Sequence, residues 1–192
     1  MKIESLEGLK AEKLKILTVP STILKSKAEE ITVFDEELET LARNMLYTMY
    51  LSPGIGLAGN QVGALKRIFV IDVDYERQES LTIEDEYEYS AFNPKVFINP
   101  KITFVDDAKV STQEGCLSVP EIFENVERHE KILVEYQNLK GETETLDADD
   151  LLSVCIQHEN DHLNGIVFLD HLSQLKKQFY LKKMKKRKKV YG

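Results

Sequence analysis

The feature that most constrains this chain is a helical stretch with two histidines on its apolar stripe. Across residues 149–163, Leu151, Val154, Cys155, His158 and His162 recur at spacings that place them on one face of a helix. Asp147 or Asp149 suits the N-cap, and Gly165 suits the stop. Two imidazoles on a buried stripe are costly without partners, and a metal ion held by both is one such partner. Glu159, next to His158, is then placed to exchange protons with a metal-activated water. Two core histidines satisfied by other side chains, with an exposed glutamate between them, would give the same string. A short His-Glu-x-x-His match also arises by chance, and many zinc proteases share it. Its place in a well-capped helix, on the apolar face, favours the metal.

A third ligand decides what such a helix does. Cys116 follows a glycine in Glu114-Gly115-Cys116-Leu117-Ser118, a segment that reads as strand or turn. A thiolate is a strong ligand for zinc or iron. A buried structural cysteine is the alternative, and Cys155, one helical turn before His158, fits that role better, as a residue lining the pocket. Two cysteines make no disulfide scaffold. With no apolar block near the start and no stretch of about 18 apolar residues, the expectation is a cytoplasmic protein that does not enter a membrane.

The remaining elements place this helix late in an α+β fold. Residues 35–51 form a helix, with Asp35 as cap and Ser52-Pro53-Gly54 as stop. Four glycines between 54 and 63 read as a loop whose backbone approaches something closely. Residues 67–73, 96–105, 131–137 and 142–146 read as strands. The acidic stretch 74–94 reads as a surface loop or excursion. A third helix starts near Ser173 and runs to about residue 189. With strands in the middle and helices on either side, 192 residues suit one α+β domain spanning 1–192. The net charge of −8 conceals an asymmetry: from His171 onward there are nine Lys or Arg and no acid. That is more than a helix dipole needs, so the tail reads as a docking element for a polyanion.

Three segments, in order and with similar spacing, resemble the peptide deformylase family. They are Gly54-Ile55-Gly56-Leu57-Ala58-Gly59-Asn60-Gln61, Glu114-Gly115-Cys116-Leu117-Ser118 and His158-Glu159-Asn160-Asp161-His162. The similarity extends to Pro20, Leu24 and Ala28, to the strand after the first motif, and to the link into the last helix. It implies antiparallel or mixed sheets packed around a central metal-binding helix, with an N-terminal and a C-terminal helix. It departs from the family pattern at Gly59, which replaces an alanine and adds freedom to the loop, and at Phe123, where many members carry an arginine that steers the peptide. The 74–94 excursion is also longer than in compact members.

The resemblance implies hydrolysis of N-formylmethionyl nascent peptides to formate and a free amine. Cys116, His158 and His162 would hold one divalent ion, ferrous iron (Fe2+) in the cell, with Zn2+, Ni2+ or Co2+ able to replace it. Glu159 would carry the proton, and Gln61 and the Leu117 amide would stabilise the oxyanion. Ile55, Gly56, Val154 and Cys155 would receive the methionine, with Glu114 and Asp161 orienting the ligands. The last helix would dock on the ribosome, and a monomer is favoured. A zinc endopeptidase would instead take a third ligand downstream, where His171 stands. A non-catalytic ribosome-binding module would use the tail alone.

Overall fold

Asp35 opens the first helix by accepting a 3.0 Å hydrogen bond from the Leu38 amide, and α1 runs over Glu36–Leu51. The computed structural model describes residues 3–80 and 87–191. In chain order the further elements are β1 (Gly56–Ala58), β2 (Ile68–Ile71), β3 (Glu76–Glu79), β4 (Tyr87–Ser90), β5 (Lys95–Phe104), β6 (Lys109–Cys116), β7 (Val119–His129), β8 (Ile132–Gln137), β9 (Thr143–Ala148), α2 (Asp150–Leu163) and α3 (Gln174–Tyr191). The fold is α+β and its paired strands are antiparallel. A five-stranded sheet has the order β1-β2-β5-β8-β9, and β3-β4 and β6-β7 form two separate hairpins.

Alternation along β2 divides the interior in two. Ile68 and Val70 join Leu38, Met45, Leu46 and Met49 of α1 in one cluster. Phe69 and Ile71 point the other way, against Cys155, Ile156 and Leu163 of α2. The sheet therefore lies between the two helices at this point, and α2 is buried as its stripe requires. A third cluster joins Val119, Ile122 and Val126 of β7 to Phe168, Leu169 and Met184. It ties the β6-β7 hairpin to α3.

The end of α2 follows the expected chemistry. Gly165, at φ +73°, donates to the His162 carbonyl while Ile166 donates to that of Asp161, so a left-handed glycine closes the helix. Its start differs. Asp149 holds the cap position, but its side chain makes no capping bond; Asp150 follows at φ +46°.

Three expectations need correction. The glycine-rich stretch is not all loop, since residues 56–58 pair with β2 as an edge strand whose Leu57 and Ala58 side chains are fully buried. Gly59 is not slack: a Cβ there would meet the Ala64 carbonyl at 2.6 Å and that of Lys66 at 2.8 Å. The 74–94 excursion is a hairpin, with Arg77 stacked 3.4 Å over the ring of Tyr87; residues 81–86 lie outside the described residues. Asp72 secures its base, accepting from Tyr50 Oη at 2.7 Å and the Asn93 amide at 2.8 Å. Among the described residues, no helix is long and apolar enough to cross a membrane.

Candidate metal centre

Cys116 closes β6, just past a bulge in the pairing with β7, while His158 and His162 lie one turn apart on α2. Among the described residues, one ligand atom from each of these three lies within 4.8 Å of the others. Cys116 Sγ is 3.2 Å from His162 Nε2. Two ligands at ordinary sulfur and nitrogen distances on one tetrahedral ion sit about 3.5 Å apart, so the donor set fits a metal ion. His158 commits Nδ1 to Glu114 Oε2 at 2.7 Å, which leaves Nε2 for the ion. Burial, with His158 beside it, pushes His162 well below the usual histidine range and keeps it neutral, the form that binds a metal.

A buried network supports the histidines. Arg128 of β7 grips Glu114 through two hydrogen bonds, 2.7 and 3.1 Å, and reaches Asp161 Oδ2 at 2.6 Å. Burial alone would raise the Glu114 carboxyl, but hydrogen bonds from His158 and Arg128 bring it down to about 2. It therefore stays ionised and steers His158. His171 bonds Asp161 Oδ2 at 2.7 Å and lies outside the converging set. This is not the arrangement of an endopeptidase with a downstream third ligand.

Glu159 is buried and its Oε2 has no hydrogen-bond partner. Burial is the main reason its carboxyl is pushed up to about 7, a value suited to giving and taking protons near neutrality. Its carboxylate rests against Gly56, where a Cβ would collide with it.

Gln61 sits in a 3-10 turn, Gly59–Val62. The Ala58 amide donates to its Oε1 at 2.7 Å, which turns Nε2 towards Ser118 Oγ at 3.2 Å and Cys116 Sγ at 3.5 Å. The N-terminal segment braces both flanks: the Leu17 amide donates to the Gln61 carbonyl at 2.7 Å, and Val19 to that of Ser118 at 2.9 Å. Leu117 lies in the turn between β6 and β7.

A cavity of about 470 Å³ opens over this group. Ile55, Gly56, Gln61, Cys116, Leu117, Val154, Cys155, His158 and Glu159, all expected at the site, line it; His162 lies beneath, fully buried. Cys155 stands outside the converging ligands, and burial raises its thiol, so it stays protonated. Arg128 and Ser118 are the supports that the sequence reading missed. An arginine in a mixed strand and a serine after a cysteine carry no local sign of their burial.

Comparisons with known proteins agree with this geometry. The family model described as Polypeptide deformylase matches residues 13–178. A peptide deformylase of Phenylobacterium zucineum is 43% identical over 175 residues, covering 91% of this chain and 96% of that one. One from Erythrobacter litoralis is 46% identical over 184 residues, covering 89% and 95%. The crystal structure of the Ehrlichia chaffeensis peptide deformylase in complex with actinonin superposes with a TM-score of 0.80 at 40% identity, over 92% of this chain and 98% of that one. With its motifs, its fold and its nearly full-length relatives in accord, the chain belongs to the polypeptide deformylase family.

Proposed function

We propose that this chain is a single catalytic domain that removes the formyl group from N-formylmethionyl nascent polypeptides, releasing formate and a free amino terminus. The observation that carries this reading is the convergence of one sulfur and two imidazoles beside an unpartnered carboxylate and an aimed amide, at the floor of an apolar cleft.

Cys116, His158 and His162 would hold a divalent ion, ferrous iron in the cell, with zinc, nickel or cobalt as substitutes. A bound ion would supply Lewis acidity, the chemistry that makes hydroxide available near neutral pH. Glu159 accepts the proton of the attacking water and delivers it to the departing nitrogen, so the C–N bond breaks to an amine rather than an amide anion. Gln61 Nε2 and the Leu117 amide stabilise the negative charge that grows on the formyl oxygen. Ile55, Val154 and Cys155 receive the methionine side chain, and Gly56 approaches the peptide backbone. The setting is the cytoplasm. The exposed Lys182, Lys183, Lys185 and Lys186 of α3 dock a monomer on ribosomal RNA phosphates. Lys176 and Lys177 belong to the body instead, paired with Glu124 and Asp170. The side chains of Arg187, Lys188 and Lys189 lie outside the described residues.

The test is a formate-release assay on a formyl-Met tripeptide with protein purified without oxygen, alongside metal analysis of the same sample. Stoichiometric metal that disappears in Cys116→Ala, together with formate release by the parent protein, is the expected result. Metal retained in that variant, or no formate from the loaded parent, would refute the proposal.

A further inference from the structure

The excursion between residues 74 and 94 has a foot that reaches the wall of the cleft from behind. Tyr75, the residue before β3, donates from Oη to the Gly54 carbonyl at 3.1 Å. The next carbonyl along, that of Ile55, accepts from the Asp72 amide at 3.0 Å and from Cys155 Sγ of α2 at 3.7 Å. Two consecutive carbonyls are thus held by residues at one end of the excursion, just ahead of the point where β1 begins to pair at Gly56. Pro53, Gly54, Ile55 and Gly56 line the cavity, whereas Tyr75 stands outside its lining.

The foot is itself fixed. Asp72 is buried; its Oδ1 accepts from the Asp74 and Tyr75 amides, each at 3.1 Å, while its Oδ2 takes the Asn93 amide and Tyr50 Oη. One carboxylate thereby gathers both ends of the hairpin and the last turn of α1. The Tyr75 ring packs edge-on against Tyr50, with centroids 4.9 Å apart, and stacks with Tyr89 of β4 at 6.5 Å. Burial raises the Tyr75 phenol above its ordinary value, so the hydroxyl remains a donor. The hairpin is already closed by Asp72 and by four paired residues on each strand, so it does not need Gly54 as an anchor. The link from α1 to β1 has no strand pairing before Gly56, and it is the link that gains. Its clearance is small: a Cβ on Gly54 would stand 2.8 Å from Leu117 Cδ1.

We infer that Tyr75 is a positioning residue: its hydroxyl holds the Gly54 carbonyl so that the wall formed by residues 53–56 keeps the spacing from Leu117 that the formylated peptide requires. This role rests on the deformylase reading, and it ties the excursion to the reaction site. The reacting groups have supports of their own. Gln61 is aimed by the Ala58 amide, His158 by Glu114, and the Leu117 turn is closed by the pairing of Cys116 with Val119. The wall meets the peptide in the ground state and the transition state alike, so loosening it costs binding more than turnover. A wall held in place before the peptide arrives also spares the ordering that binding would otherwise demand.

The experiment measures kcat and KM of the metal-loaded enzyme on formyl-Met-Ala-Ser for the parent, Tyr75→Phe and Tyr87→Ser. Tyr75→Phe removes the hydroxyl and keeps the ring. The expected result is a KM raised about fivefold, the worth of one ordinary hydrogen bond, with kcat within about twofold of the parent and the metal content unchanged. The Asp72 amide proton, whose acceptor is the neighbouring Ile55 carbonyl, should exchange faster with heavy water in the same variant. Tyr87→Ser removes the Arg77 stack at the far end of the hairpin and should leave KM and that exchange rate as in the parent. An unchanged KM in Tyr75→Phe, or an equal rise in Tyr87→Ser, overturns the positioning role and leaves the deformylase reading standing. No formate from the loaded parent overturns both.

Discussion

Gly56 and Glu159 share a space that fits only a hydrogen on the one and a carboxylate on the other. In Gly56→Ala the added methyl displaces the carboxylate, and a misplacement of that kind costs about a hundredfold in kcat. Metal content should hold, which the formate assay and metal analysis check together. Gln61→Ala removes an amide fixed by the Ala58 N–H and aimed at the thiolate; turnover should fall by about 10²–10³, again with the metal retained. Wild-type turnover in that variant would remove Gln61 from the mechanism. Both imidazoles and the thiolate were legible in the sequence because ligand chemistry imposes a spacing along a helix and a recognisable setting for the cysteine. Arg128 was not. Its burial depends on Glu114 and Asp161 arriving from two other elements, and no local pattern records that meeting.

The helices were easier to read than the strands. Both α1 and α2 announce themselves by stripe and stop, and both were found within one residue of the expected bounds. The long β7 hid itself, because Val119, Ile122 and Val126 are spaced by three and four and so imitate a helix. Glu121, at φ +61°, breaks the two-residue period that would have marked a strand. Its far end is clamped to α2: Gln157 accepts from the His129 amide at 3.1 Å and donates to its carbonyl at 2.8 Å. Gln157→Leu leaves the His129 amide without this partner and its carbonyl with Ser153 Oγ alone, and a loss of about 1–3 kcal/mol should appear as a lower urea midpoint. Asp170 performs a similar task for α3. Burial opposes its ionisation, yet hydrogen bonds from Lys177 and Lys25 hold its carboxyl below the usual range. The stabilisation is therefore complete above the ordinary aspartate range and is lost as pH falls through the lowered value. Asp170→Asn should cost of order 1 kcal/mol at neutral pH and little in acid, so the melting temperatures of parent and variant should converge as the buffer is acidified.

For the molecule as a whole, charge is divided between an acidic body and a basic last helix. The helix is no free tail, since Met184 is buried and Tyr180 Oη bonds Glu124 at 2.6 Å. Truncation would disturb the core, so the ribosome reading is better tested by changing Lys182, Lys183, Lys185 and Lys186 to Gln. Co-sedimentation with ribosomes should drop, its salt dependence should flatten, and formate release from a free peptide should stay as it was. Undiminished co-sedimentation would count against docking through this helix. The opening stretch of the chain has a role of a different kind. The amide protons of Leu17 and Val19 are held by carbonyls on the two sides of the reaction chamber. Their exchange with heavy water therefore gauges whether those sides are together, in a sample that contains no peptide at all. A variant whose two sentinel protons exchange quickly has lost its architecture, and one that keeps them slow while failing to turn over has lost only its chemistry.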